Sequence, residues 1–159
     1  MIMVTMSANN AAGITASLGG VSGTVVSGTD SGATASIRTL IYCVVNPLSG
    51  SQTATVSWTG TMDADVGVIT VSGADQTAPC NGGAVTATNS APGFTTTVAI
   101  TSNAGDLTAS VGYAASNWAS PPTNQTLKWV SIPAPQGEAS GQEQVPDAYV
   151  DGSVYQSNA

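Results

Sequence analysis

Between Ile37 and Pro79 the chain reads IRTLIYCVVNPLSGSQTATVSWTGTMDADVGVITVSGADQTAP, and no other stretch limits the fold as strongly. Runs of β-type residues, almost free of charge, are separated there by Asn46-Pro47, Leu48-Ser49-Gly50 and Thr59-Gly60. Ser36–Val45 is apolar at nearly every position, which predicts a central strand covered on both faces. The segment from Asn46 to Gly50 reads as a turn, because proline fixes φ and glycine supplies a positive φ. Gln52–Trp58 then alternates. Ala54, Val56 and Trp58 share one face, with Trp58 in the core, while Thr53, Thr55 and Ser57 share the solvated face. Val66–Ser72 is again largely apolar and is expected to pair beside the first apolar run.

The rest of the chain repeats this grammar. Helix formers are scarce, Thr and Val are abundant, and glycine interrupts most windows of ten. Strands are expected at Ile14–Leu18 and Gly23–Val26 around Gly19-Gly20, then at Ala84–Thr88, Thr95–Thr101, Leu107–Ala114 and Thr126–Ile132. Turn signals between them recur roughly every 8–12 residues, which predicts an all-β fold. The expected form is an antiparallel β-sandwich, jelly-roll or Ig-like, of about eight to ten strands in two sheets. With aromatics at only 5%, its core must rest on Val, Ile, Leu and Ala. Residues 1–20 read as an N-terminal arm or edge strand and residues 21–132 as the sandwich. Residues 133–159 hold three prolines and four of the nine carboxylates, and read as an extended polar C-terminal arm. In that arm the apolar patch Ala148, Tyr149 and Val150, with Val154 and Tyr155, is the expected anchor on a partner.

Charge narrows the partners. Charged residues are 7% of the chain, far below the roughly 25% of ordinary soluble domains. Arg38 and Lys128 are the only basic residues, and the net charge is −7. Two scattered cations cannot neutralise a row of phosphates, so neither nucleic acid nor an anionic membrane is an expected partner. No run approaches the ~18 apolar residues of a spanning helix. The start MIMVTMSANNAAG lacks the basic residues and apolar length of a signal peptide. Either the chain is made and assembled in the cytoplasm, or a leader is missing from the sequence. For Cys43 and Cys80 a free-thiol state is favoured over a disulfide, on the expectation of a reducing site of synthesis. With no histidine and two isolated cysteines, no metal or other cofactor is expected.

The same segment carries a resemblance. Its pieces are Ile41-Tyr42 leading to Asn46-Pro47-x-x-Gly50, then Thr53-x-Thr55-Val56-x-Trp58-x-Gly60, then Val71-Ser72-Gly73-x-Asp75-Gln76-Thr77-x-Pro79. Asn103-Ala104-Gly105-Asp106-Leu107 opens a later strand in a similar way. Over residues 21–130 the chain resembles a Thr/Ser/Gly-rich β-sandwich domain of phage virion proteins and of bacterial surface or secreted proteins. The resemblance implies an architectural or attachment module without catalytic residues. Two departures stand out: shortened N-terminal strands, and a polar tail in place of a closing strand. An incomplete sandwich exposes edges that a neighbouring subunit would cover.

Candidate chemistry is thin. Asp63-Ala64-Asp65 is the best acidic pair, but calcium needs six to eight oxygens and glycosidases need set carboxyl separations. Local hydrogen bonding in a turn explains these aspartates better. Asp75-Gln76-Thr77 reads as an Asx-type turn before Pro79, and Asp106 reads the same way. Asn124-Gln125-Thr126 matches a glycosylation acceptor, a pattern that arises by chance and matters only after secretion. The expected function is a non-enzymatic structural protein of an assembly, a phage virion decoration (cement) or head or tail accessory protein. Its partners would be other virion subunits, in a homo-oligomer made in the host cytoplasm. One alternative is a carbohydrate-binding or adhesive module, at the bacterial surface or secreted, that stacks glycans on Tyr113, Trp118 and Trp129. Another is a fibre subunit joined by donated strands.

Overall fold

The computed structural model describes residues 1–6, 11–32, 38–60, 64–75, 77–80, 99, 106–114, 126–131, 138–144 and 155–158. Among these residues no helix occurs and eleven strands do: β1 (Ile2–Met6), β2 (Ala12–Leu18), β3 (Val21–Ser22), β4 (Thr24–Val25), β5 (Arg38–Cys43), β6 (Ala54–Thr59), β7 (Ala64–Val68), β8 (Thr108–Ala114), β9 (Thr126–Ser131), β10 (Glu138–Gln144) and β11 (Tyr155–Asn158). They form three sheets, ordered β11-β7-β1-β5-β4, β3-β2-β6 and β8-β10-β9. All the pairings are antiparallel. The described part of the chain is therefore all-β.

β5 is covered on both faces, as its nearly continuous apolar run predicts. Leu40 and Tyr42 join the main core, whereas Ile41 belongs to a second cluster with Ile69. The main core gathers Ile2, Val4 and Met6 of β1 with Ala64, Val66 and Val68 of β7. Ile14, Ala16 and Leu18 of β2 and Ala54, Val56 and Trp58 of β6 meet them. The alternation read in Gln52–Trp58 is thus the real one, with Thr55, Ser57 and Thr59 exposed between the inward positions. On the second cluster, Ala109 and Val111 of β8 pack against Ile41 and Ile69 together with Met1, Val26 and Val71.

Gly23 is the corner of this arrangement. β3 pairs with β2, and β4, two residues later, pairs with β5 in the other sheet. The Gly23 amide donates to the Ala16 carbonyl at 2.8 Å. A Cβ there would stand 3.2 Å from both Tyr42 Cβ and Val44 Cγ2, so a larger residue would force these neighbours to give by a few tenths of an ångström. The Asn46–Gly50 turn is formed as expected, with Gly50 at φ 89° and Asn46, at φ 51°, also left-handed.

Several expectations are revised. β1 is neither an arm nor an edge strand, because β5 flanks it on one side and β7 on the other. For the same reason the Val66–Ser72 run does not pair beside the first apolar run. The cause is non-local: β5 and β7 both run antiparallel to β1, so they are parallel to each other and have no hairpin to join them. In the 133–159 segment, read as an extended arm, β10 is the middle strand of its sheet and β11 pairs with β7. A polar sequence gains its strand here from backbone pairing, which apolar patterning does not report. Asp65 lies within β7 and not in a turn. The strands expected at 84–88 and 95–101 fall outside the described residues, apart from Ala99, which is in no strand.

Candidate functional site

The most specific construction in the molecule is the slot between β5 and β7 with β1 inside it. Alternation places Ile2, Val4 and Met6 on one face of β1, and all three are 0% exposed. In register, Val4 lies opposite Leu40 on one side and Val66 on the other, and Ile2 lies opposite Tyr42 and Val68. The ladder continues past β1, where the Ile69 amide donates to the Met1 carbonyl at 2.9 Å. The Met1 amino group donates back to the Ile69 carbonyl, and burial lowers its pKa to about 6. Complete burial of three such side chains is worth about 1.5–3 kcal/mol each.

Arg38 closes the Met6 end of this slot. It lies opposite Met6 in the ladder, and its Nη1 donates to the Ala11 carbonyl at 2.9 Å, just before β2. Its Nε and Nη2 grip the two carboxylate oxygens of Asp30 at 2.9 and 2.6 Å. The Gly32 amide donates to the same carboxylate. Hydrogen bonding from Arg38 holds the Asp30 carboxyl below the usual carboxylate range, and Asp30 in turn raises the guanidinium. Across the core, the Tyr42 hydroxyl donates to the Ile14 carbonyl at 2.8 Å and ties the five-stranded sheet to β2. Burial raises the pKa of that phenol.

The far edge of β5 is sealed by hydroxyls. β4 pairs only with Cys43 and Tyr42. Beyond it, the Ile41 amide donates to the Oγ1 of buried Thr29 at 3.1 Å, and the Thr39 amide donates to Ser31 Oγ at 2.9 Å. With the Val26 and Ser31 amides, which donate to the Ile41 and Thr39 carbonyls at 2.8 and 3.1 Å, these two side chains stand in for a strand and remove an edge that could template aggregation. Sequence reasoning missed Thr29, Ser31 and the Asp30–Arg38 pair. The only signal was a Ser/Thr/Gly loop followed by a lone arginine at the start of an apolar run.

Cys43, at the end of β5, and Cys80 are joined in a disulfide with their Cα atoms 6.2 Å apart. The free-thiol expectation is corrected. The fold brings the 77–80 loop over the end of β5, a closeness that 37 residues of separation conceal. Only such closeness permits the bond. It walls an open groove of about 360 Å³ beside Val25, Val45 and Pro79.

Two of the three expected glycan-stacking residues fall in one sheet. Tyr113 sits in β8 opposite Ala139 and Trp129 in β9 opposite Gly141, on the two strands flanking β10. Trp118 lies outside the described residues, as do Asp63 and the anchor positions Ala148, Tyr149, Val150 and Val154. Tyr155 opens β11 opposite Val68 of the chain's own sheet. Asp75 forms the expected Asx turn, accepting from the Thr77 amide at 2.7 Å, which lowers its pKa. Among the described residues no group of three or more His, Cys, Asp or Glu gathers as metal ligands. No described helix is long and apolar enough to cross a membrane. No family model, no curated protein and no solved structure matches the chain.

Proposed function

We propose that this chain is a non-enzymatic structural subunit of a β-sandwich type that packs against neighbours in an assembly. A virion decoration or head or tail accessory protein is the reading that fits best. The observation that carries it is the outer face of the β3-β2-β6 sheet. Thr15, Thr55, Ser57 and Thr59 are exposed there, and none of the three strands contains a charged residue. Burying ions against a partner is costly, and the cores of interfaces are depleted of charge. A flat hydroxyl face can be covered without that penalty. The Cys43–Cys80 disulfide fits this reading in the released particle, since such bonds persist at virion and cell surfaces and not in the reducing cytosol where the chain would be made.

The test is Thr55→Glu with Ser57→Glu, two exposed positions on that face. A single surface substitution of this kind usually shifts stability by about 0.5 kcal/mol or less, and circular dichroism checks that the variant is folded before its mass is read. Its assembled mass should fall to the single-chain value of 15.6 kDa. A doubly charged variant that assembles like the wild type would refute the docking role of this face.

A further inference from the structure

We propose that the slot between β5 and β7 is a strand-exchange site, filled in the assembly by the Ile2–Met6 segment of a second copy. This deepens the assembly reading above and rests on it. The fold itself displays the slot's preferred occupant: an extended segment with Ile, Val and Met at alternate positions, hydrogen-bonded on both edges. β1 has no local partner. Its nearest pairing, Met6 with Arg38, spans 32 residues, and Ile2 with Val68 spans 66. By contrast, β2 and β3 pair across the Gly19-Gly20 turn.

Non-local pairing is slow, because loop closure must precede any gain from contact. The slot therefore stands open during folding, with Leu40, Tyr42, Ala64 and Val68 unshielded by β1. A strand from another copy makes the same contacts, so exchange changes only the closure entropy. The chain's own strand competes at an effective concentration on the order of mM. Copies held side by side in an assembly reach that level. Main-chain pairing gives the affinity and the three inward side chains give the register, as in other recognition by an added strand.

The test uses two full-length variants, Val4→Cys and Val66→Cys, which occupy facing rungs of the β1–β7 ladder. They are unfolded together in denaturant at acid pH, where the new thiols stay protonated and spare the Cys43–Cys80 bond. They are refolded over a range of concentrations up to ~1 mM total chain. The refolded samples are then oxidised with dissolved oxygen, which takes the two electrons released when the position-4 and position-66 thiols join. Exchange produces a dimer crosslinked between positions 4 and 66, mapped by mass spectrometry and lost on reduction. A chain carrying both substitutions, refolded dilute so that its own strand outcompetes any other copy's, should crosslink within itself as a monomer, which verifies the geometry. Ile2→Cys with Val68→Cys repeats the test at a neighbouring inward position if either variant fails to fold. Oligomers without a 4–66 link between copies would overturn strand exchange and leave the assembly reading standing. Uncrosslinked monomers at every concentration would overturn both.

Discussion

Breaking the Cys43–Cys80 bond should be the largest single loss of stability obtainable without emptying the core. The bond closes a loop of 37 residues that contains all of β6 and β7. In the chain-entropy relation, releasing a loop of that length costs about 4 kcal/mol at 25 °C. Whole domains are stable by about 5–15 kcal/mol, so this is a large fraction. At about 2.1 cal/mol/K of unfolding entropy per residue, 159 residues convert that loss into a fall in Tm of about 12 °C. Cys80→Ser is the better perturbation, because Cys80 is half-buried while Cys43 is 8% exposed. The remaining Cys43 thiol then serves as a small core hydrophobe. Circular-dichroism melts of the wild type, the reduced wild type and Cys80→Ser should show the two altered samples falling together. A fall of less than about 2 °C on reduction, or two thiols titrating in the native oxidised protein, would refute the reasoning.

Three further outcomes can be checked by the same melts or by denaturant titration. Asp30→Asn should cost no more than about 1 kcal/mol, since the pair with Arg38 is partly exposed and screened. The folded Asp30 carboxyl lies below its ordinary value, so its contribution is complete above the unfolded pKa of about 3.9 and is lost as pH falls through the folded one. Asp30→Asn should therefore flatten that part of the acid limb. Gly23→Val should destabilise by about 1–3 kcal/mol through overpacking at the crossing between sheets, and an unchanged midpoint would show that the corner is loose. Tyr42→Phe leaves the Ile14 carbonyl without its donor at a cost of about 1–3 kcal/mol, and full stability would place that hydroxyl in water instead.

Local pattern makes β5 and β6 legible in the amino-acid sequence. A nearly continuous apolar run needs cover on both faces, and strict alternation needs it on one. The Asn46–Gly50 and Asp75–Thr77 turns are equally readable, because their chemistry is contained within a few residues. What the sequence does not disclose is set by distant pairing. Nothing in MIMVTM says that Val4 fills a slot between Leu40 and Val66, and a short apolar start resembles an arm or an edge. The Cys43–Cys80 bond is hidden for the same reason. β10 and β11 leave no apolar pattern because their polar residues gain strand structure from backbone partners and not from burial. The site inherits this division: the hydroxyl face of β2 and β6 follows from alternation, whereas the β1 slot follows only from topology.

Whether copies of this chain assemble is the question on which everything functional rests, and sedimentation velocity of the oxidised full-length chain answers it most directly. The runs should span micromolar to millimolar protein, at low salt and at about 0.5 M salt, where the Debye length drops to a few Å. There the repulsion between chains of net charge −7 is screened. The expected result is a discrete species at a whole-number multiple of 15.6 kDa, populated further as concentration and salt rise. A single 15.6 kDa species under every condition would contradict the assembly role.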